Sequence, residues 1–261
     1  MRFDPERALT LARELDQAQG AEVGRFLLDA LAARLAGVGL RVEALAGDSH
    51  PIGVVGLPVP RDLPGRRVVF AVGIDPRGPS VDRCGSLGLL NELARSWPRS
   101  SGQRLEVGFA AVLGAAGEED LFRWARAEVS GPLPTLIIRL GSTASGRCVA
   151  VSARGAGWEL ARAAAADLWI PHRMERSIWR PLSWWRAERG GLTVIRLASS
   201  PKAARPPTPS RWGTGHPPMF SEGAMLGALA QLATEIALRW GRRQAGPAGD
   251  DRVARSSQNP G

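Results

Sequence analysis

Two aspartates stand close together in the segment "AVGIDPRGPSVDRCGSLGLL". Asp75 ends an apolar run, and Asp82 follows in a Gly/Pro-rich stretch. Carboxylates at this place suit an α/β active site, because ligands bind beyond the carboxyl ends of buried parallel strands. Few other reactive groups stand near them. His50, His172 and His216 each sit beside a proline at a turn and are read as loop residues rather than ligands. Cys84 and Cys148 have neither the spacing of a metal pair nor that of a disulfide framework. No histidine lies close enough in sequence to act as a base for Cys84, so both are read as free thiols in a reducing compartment. The serines form no G-x-S-x-G elbow. "GSTASG" is read as a tight turn, since a phosphate loop would carry a following Lys-Ser/Thr. Glu118, Glu119 and Asp120 are read as the acidic first turn of a helix, where they complement its dipole.

The elements that must position these groups are legible as alternating strands and helices. Asp4-Pro5 opens a helix with a cap and a proline at its first position, and Leu9, Ala12, Leu15 and Ala18 keep helical spacing. A second helix carries Val23, Phe26, Leu27, Ala30, Leu31 and Leu35 on one stripe and ends at Gly37 and Gly39. "LRVEAL" and "IGVVGL" read as short strands. "RRVVFAVGI" is a continuous apolar run, which suits a strand buried on both faces. Helix 86–97, strand 105–113, helix 118–129, strands 135–140 and 147–153, helix 156–168, the strand "GLTVIRLAS" and a terminal helix from Ser221 to Trp240 follow. This alternation predicts an α/β layer fold. One domain is expected over 1–240. The Pro-rich stretch 199–220 is read as a flap or insertion, and 241–261, almost without apolar residues, as a disordered tail.

In order and spacing these segments resemble the aminopeptidase branch of the zinc-dependent exopeptidases, relatives of glutamate carboxypeptidase and glutaminyl cyclase. "VVFAVGID" resembles the family's strand ending in His-x-Asp. "VDRCGSLGLLNELAR" resembles its Asp-Asn-x-Ser-Gly segment and the helix after it. "LEVGFAAVLGAAG" resembles the strand that ends in Gly-Glu-Glu, and "RWGTGHPP" resembles the closing His-containing loop. The resemblance implies a three-layer α/β/α domain with a mixed, mostly parallel sheet. In that family two zinc ions share a bridging aspartate, and a glutamate takes a proton from metal-bound water.

Residue by residue, the resemblance implies a depleted site. The first histidine falls on Gly73. Asp75 matches the aspartate that would orient it, and Asp82 matches the bridging aspartate. The Glu-Glu pair falls on Ala115 and Ala116, the later aspartate near Arg139 and Leu140, the Ser-Asp-His segment on Leu182, Ser183 and Trp184, and the last histidine on Gly213. One aspartate cannot hold two zinc ions, so no metal cofactor is expected and the chain is read as a catalytically inactive, aminopeptidase-like binding or scaffold protein. The alternative is a zinc-dependent aminopeptidase in which gaps bring Glu118, Glu119 and His216 to Asp82.

The formal charge is +9, yet arginine supplies nearly all the positive charge and is spread along the chain among Glu and Asp. Nucleic acid binding needs a clustered basic face, so it is not expected. The stretch "WIPHRMERSIWRPLSWWRAER" alternates tryptophan with arginine, two residue types enriched in binding hot spots. A protein or peptide partner is expected through Trp179, Trp184 and Trp185, with the last two lying over the family's metal cleft. Neither a secretory leader nor an apolar run long enough to span a bilayer is visible, which sets the expectation of a cytoplasmic protein.

Overall fold

In the computed structural model, described over residues 3–17, 23–46, 51–59, 65–75, 80–97, 105–127, 133–175, 182–202 and 219–242, the continuous apolar runs become the centre of one sheet. Its strands are β1 (Arg41–Ala46), β2 (Pro51–Leu57), β3 (Arg66–Ile74), β4 (Leu105–Leu113), β5 (Thr135–Leu140), β6 (Cys148–Ser152), β7 (His172–Met174) and β8 (Thr193–Ser200). The helices are α1 (Pro5–Asp16), α2 (Val23–Gly37), α3 (Ser80–Ser96), α4 (Gly114–Ala127), α5 (Gly155–Asp167), α6 (Leu182–Arg189) and α7 (Glu222–Arg242). The strand order is β1-β2-β4-β3-β5-β8-β6-β7. β4, β3, β5 and β8 run parallel, and β1, β2 and β6 join antiparallel to their inner neighbours. The sheet is thus mixed and mostly parallel at its centre.

Alternation along the strands feeds two cores. Phe70, Val72, Phe109, Ile138 and Ile195 face α1, α2, α3, α5 and α7. Val69, Ala71, Ala110, Val112, Ile137 and Val194 face the smaller layer of α4 and α6. Helices on both faces explain why the central strands read as apolar runs rather than alternating ones.

Local signals behave as expected at several points. Asp4 Oδ1 accepts from the backbone N–H groups of Glu6 (3.1 Å) and Arg7 (3.2 Å), capping α1. Gly39 follows α2 with φ 81°, a left-handed turn that costs glycine nothing. Other expectations need correction. Phe26 is exposed, because the buried stripe of α2 runs through Val23, Leu27, Leu28, Leu31 and Leu35, one helical step away. α3 begins at Ser80 rather than 86. α4 begins at Gly114 rather than 118, because Gly114 at φ 57° turns the chain directly out of β4 into the helix. The acidic run 118–120 therefore lies in the second turn of α4, beyond the reach of the N-terminal dipole. α6 and β7 were not anticipated, and α7 continues two residues past Trp240. The flap read over 199–220 lies outside the described residues apart from its two ends, as does 243–261 of the expected tail.

Candidate active site

The carboxyl ends of β4, β3, β5 and β8 lie side by side along one edge of the sheet. On the α4/α6 face, the row that crosses these strands near the edge reads Ala110, Ala71, Arg139, Arg196. The two arginines occupy positions that alternate with buried Ile137 and Val194, so their side chains rise on the same face. One step nearer the edge on that face come Gly73, Gly141 and Ala198.

Arg139 turns toward that edge. Its Nε donates to Glu118 Oε1 at 2.6 Å and its Nη1 to the Leu140 carbonyl at 3.2 Å. A Cβ placed on Gly73 would overlap its guanidinium, with Cζ only 2.7 Å away. Glu118, buried on α4, accepts a second hydrogen bond at Oε2 from the indole Nε1–H of buried Trp184 on α6, at 3.1 Å. One carboxylate therefore ties β5 and α6 to α4. Each oxygen has a donor, which the burial of its charge requires.

The residues singled out from sequence fall as follows. Gly73 is the penultimate residue of β3, and Asp75 is exposed just beyond its end. Asp82 lies in the first turn of α3, but its side chain is outside the described residues. Ala115 and Ala116 are exposed at the start of α4, and Glu119 is exposed while its neighbour Glu118 is buried. Successive residues on a helix point about 100° apart, so Glu118 and Glu119 do not converge as a ligand pair. Trp184 is only 4% exposed, which corrects its expected place on a partner surface; its indole is an internal donor. Trp185 is 40% exposed, with the Arg189 guanidinium 3.6 Å from its ring centroid. Trp179, Gly213, His216 and His50 lie outside the described residues. His172 opens β7, with Nδ1 2.9 Å from the Ile170 carbonyl oxygen. Cys84 and Cys148 are both buried and unbridged.

Sequence reasoning missed the Glu118–Arg139–Trp184 constellation. The signal that could have found it was the pair of charged residues, Arg139 and Arg196, on strands otherwise buried on both faces. Among the described residues no three His, Cys, Asp or Glu side chains come together in a way that could hold a metal ion. The residues described here do not fit a zinc pair. The cation over Gly73 is a guanidinium, and the buried carboxylate beside it is already engaged twice.

No family model matches the sequence, and no curated protein matches it either. Solved structures do. The glutaminyl cyclase of Porphyromonas gingivalis is 13% identical, with 91% of this chain and 99% of that chain covered and a TM-score of 0.62. The LapA aminopeptidase of Legionella pneumophila is 11% identical, with 92% and 72% covered and a TM-score of 0.65. A Zn-dependent exopeptidase of Parabacteroides distasonis is 13% identical, with 90% and 99% covered and a TM-score of 0.57. The chain thus carries the α/β fold shared by Zn-dependent exopeptidases, aminopeptidases and glutaminyl cyclases.

Proposed function

We propose that this chain is a non-hydrolytic protein of the exopeptidase fold, acting by binding rather than by metal-assisted hydrolysis. The observation that carries this reading is the Arg139 guanidinium resting over Gly73, held there by Glu118. A fixed positive charge raises the free energy of any divalent cation brought close to it. A protein zinc site is worth about 10–16 kcal/mol only where a full set of deprotonated ligands converges. Glu118, the alternative base or ligand, already accepts from a guanidinium and an indole. On this reading residues 1–240 act as one domain, and the exposed Trp185 with its stacked Arg189 supplies part of a surface for a protein or peptide partner.

The test is metal content and turnover measured together. Purified chain, dialysed and analysed by inductively coupled plasma mass spectrometry, is expected to hold under about 0.1 zinc per chain. It is also expected to release no chromophore from a panel of aminoacyl arylamides. Roughly two zinc per chain, with chelator-sensitive turnover that Asp82→Ala abolishes, would establish the peptidase reading instead.

A further inference from the structure

The row of arginines leaves one charge over. Arg139 and Arg196 are direct partners on adjacent parallel strands, and like charges so placed repel each other. Glu118 neutralises Arg139. Arg196 is exposed and forms no ion pair among the described residues.

The two side chains also lean the same way. Arg139 rises from β5 and lies over Gly73 of β3. Arg196 rises from β8, with its Nε 3.2 Å from the place a Cβ on Gly141, just past β5, would take. Each arginine therefore crosses one strand in the same direction and one step toward the carboxyl edge. The two side chains thus rise from neighbouring strands, whose spacing is ~4.8 Å. Glycine at 73 and 141 gives them the room. Arg139 spends Nε on Glu118 and Nη1 on the Leu140 carbonyl, while its Nη2 packs against Gly73; among the described residues neither Nη2 nor the Arg196 fork makes a hydrogen bond.

We propose that Arg139 Nη2 and Arg196 bind a small oxyanion, a carboxylate or a phosphate, at this edge. Two arginines on neighbouring strands can reach oxygens of one such group, and planar forks favour oxyanions over chloride. Glu118 positions the first arginine, and the anion supplies the counter-charge that the second lacks among the described residues. The site lies where ligands bind in open parallel sheets. It does not depend on the non-hydrolytic reading, since anion binding is read with chelator present and metal content is measured separately.

The experiment is thermal unfolding of the full chain against increasing sodium phosphate or sodium N-acetylglycinate, with sodium chloride at equal ionic strength as reference. A bound oxyanion at about ten times its dissociation constant is expected to raise Tm by roughly 3–6 °C over chloride. The probe acting at lower concentration identifies the headgroup as phosphate or carboxylate. In Arg196→Gln the shift should need at least about tenfold more anion. Arg196→Lys keeps the charge without the fork; it should retain the fold and bind more weakly than the parent. No shift beyond chloride with either probe, or shifts unchanged in both variants, would overturn the proposal.

Discussion

Replacing Arg139 by methionine strips Glu118 of its counter-charge while keeping most of the side-chain volume. The Arg139 side chain is 21% exposed and that of Glu118 10%, so neither charge is fully screened by water. Unit charges about 4 Å apart attract by about 4 kcal/mol at an effective dielectric of 20. Breaking a buried pair costs about 3–5 kcal/mol, and the partial exposure of Arg139 lowers this to about 2–4 kcal/mol. Glu118→Gln keeps an acceptor for the Trp184 indole and costs about 1–2 kcal/mol. The double variant removes both charges together and should cost about 2 kcal/mol, well short of the sum of its parts. A double-mutant cycle from urea unfolding, followed by tryptophan fluorescence and circular dichroism, is therefore expected to give a coupling of at least about 1 kcal/mol. Additivity within about 0.5 kcal/mol would show that the two side chains do not act as a pair, and would remove the basis for reading Arg139 as a fixed cation.

Three further outcomes follow from the structure. Glu92 on α3 is buried with Oε1 unpartnered; burial raises its carboxyl above the usual range, partly offset by the Arg7 charge and a hydrogen bond from the Asp4 backbone. A raised folded-state value means its contribution is most favourable below the unfolded value and is lost as pH rises through the folded one. Glu92→Gln should thus gain on the parent in Tm as pH rises from acid toward neutral, and a constant difference across that range would refute this. Gly88→Ala, although a better helix former, is expected to destabilise by about 1–3 kcal/mol in urea, because a Cβ there would overlap the Ala8 carbonyl oxygen where α3 crosses α1. Cys148, its thiol pushed up by burial, and Cys84, equally enclosed, should react with an aromatic disulfide reagent only after unfolding; labelling of native protein within minutes would contradict this.

The central strands were legible because burial on both faces leaves an uninterrupted apolar run, and β3, β4 and β5 fall on the residues read for them. The starts of α3 and α4 were not. α4 opens on Gly114-Ala115-Ala116-Gly117, which carries no capping side chain, so the sequence pattern puts the first turn four residues late, at the acidic run behind it. α6 contains two tryptophans in eight residues, and a helix so short draws its stability from packing Trp184 and Ala187 on β8 and α4, not from its own propensity. The Glu118–Arg139 pair joins residues 21 apart on different elements. Only the sheet register that brings β5 beside β3 and under α4 makes it a pair, and no local pattern encodes that register. Arg139 was legible as a charge unsuited to a metal ligand's place, but its partner was not.

The two rims of the sheet bear on how the protein can assemble. On one side β1 is six residues long, carries the Arg41–Glu43 ion pair at 2.7 Å and slips register between Leu45 and Ala46. On the other, β7 has three residues and two of them are His172 and Arg173. A brief, charged or kinked rim is a poor template for an incoming strand. Self-association by strand addition is thereby disfavoured, which steers any lasting contact toward helix surfaces or the carboxyl edge.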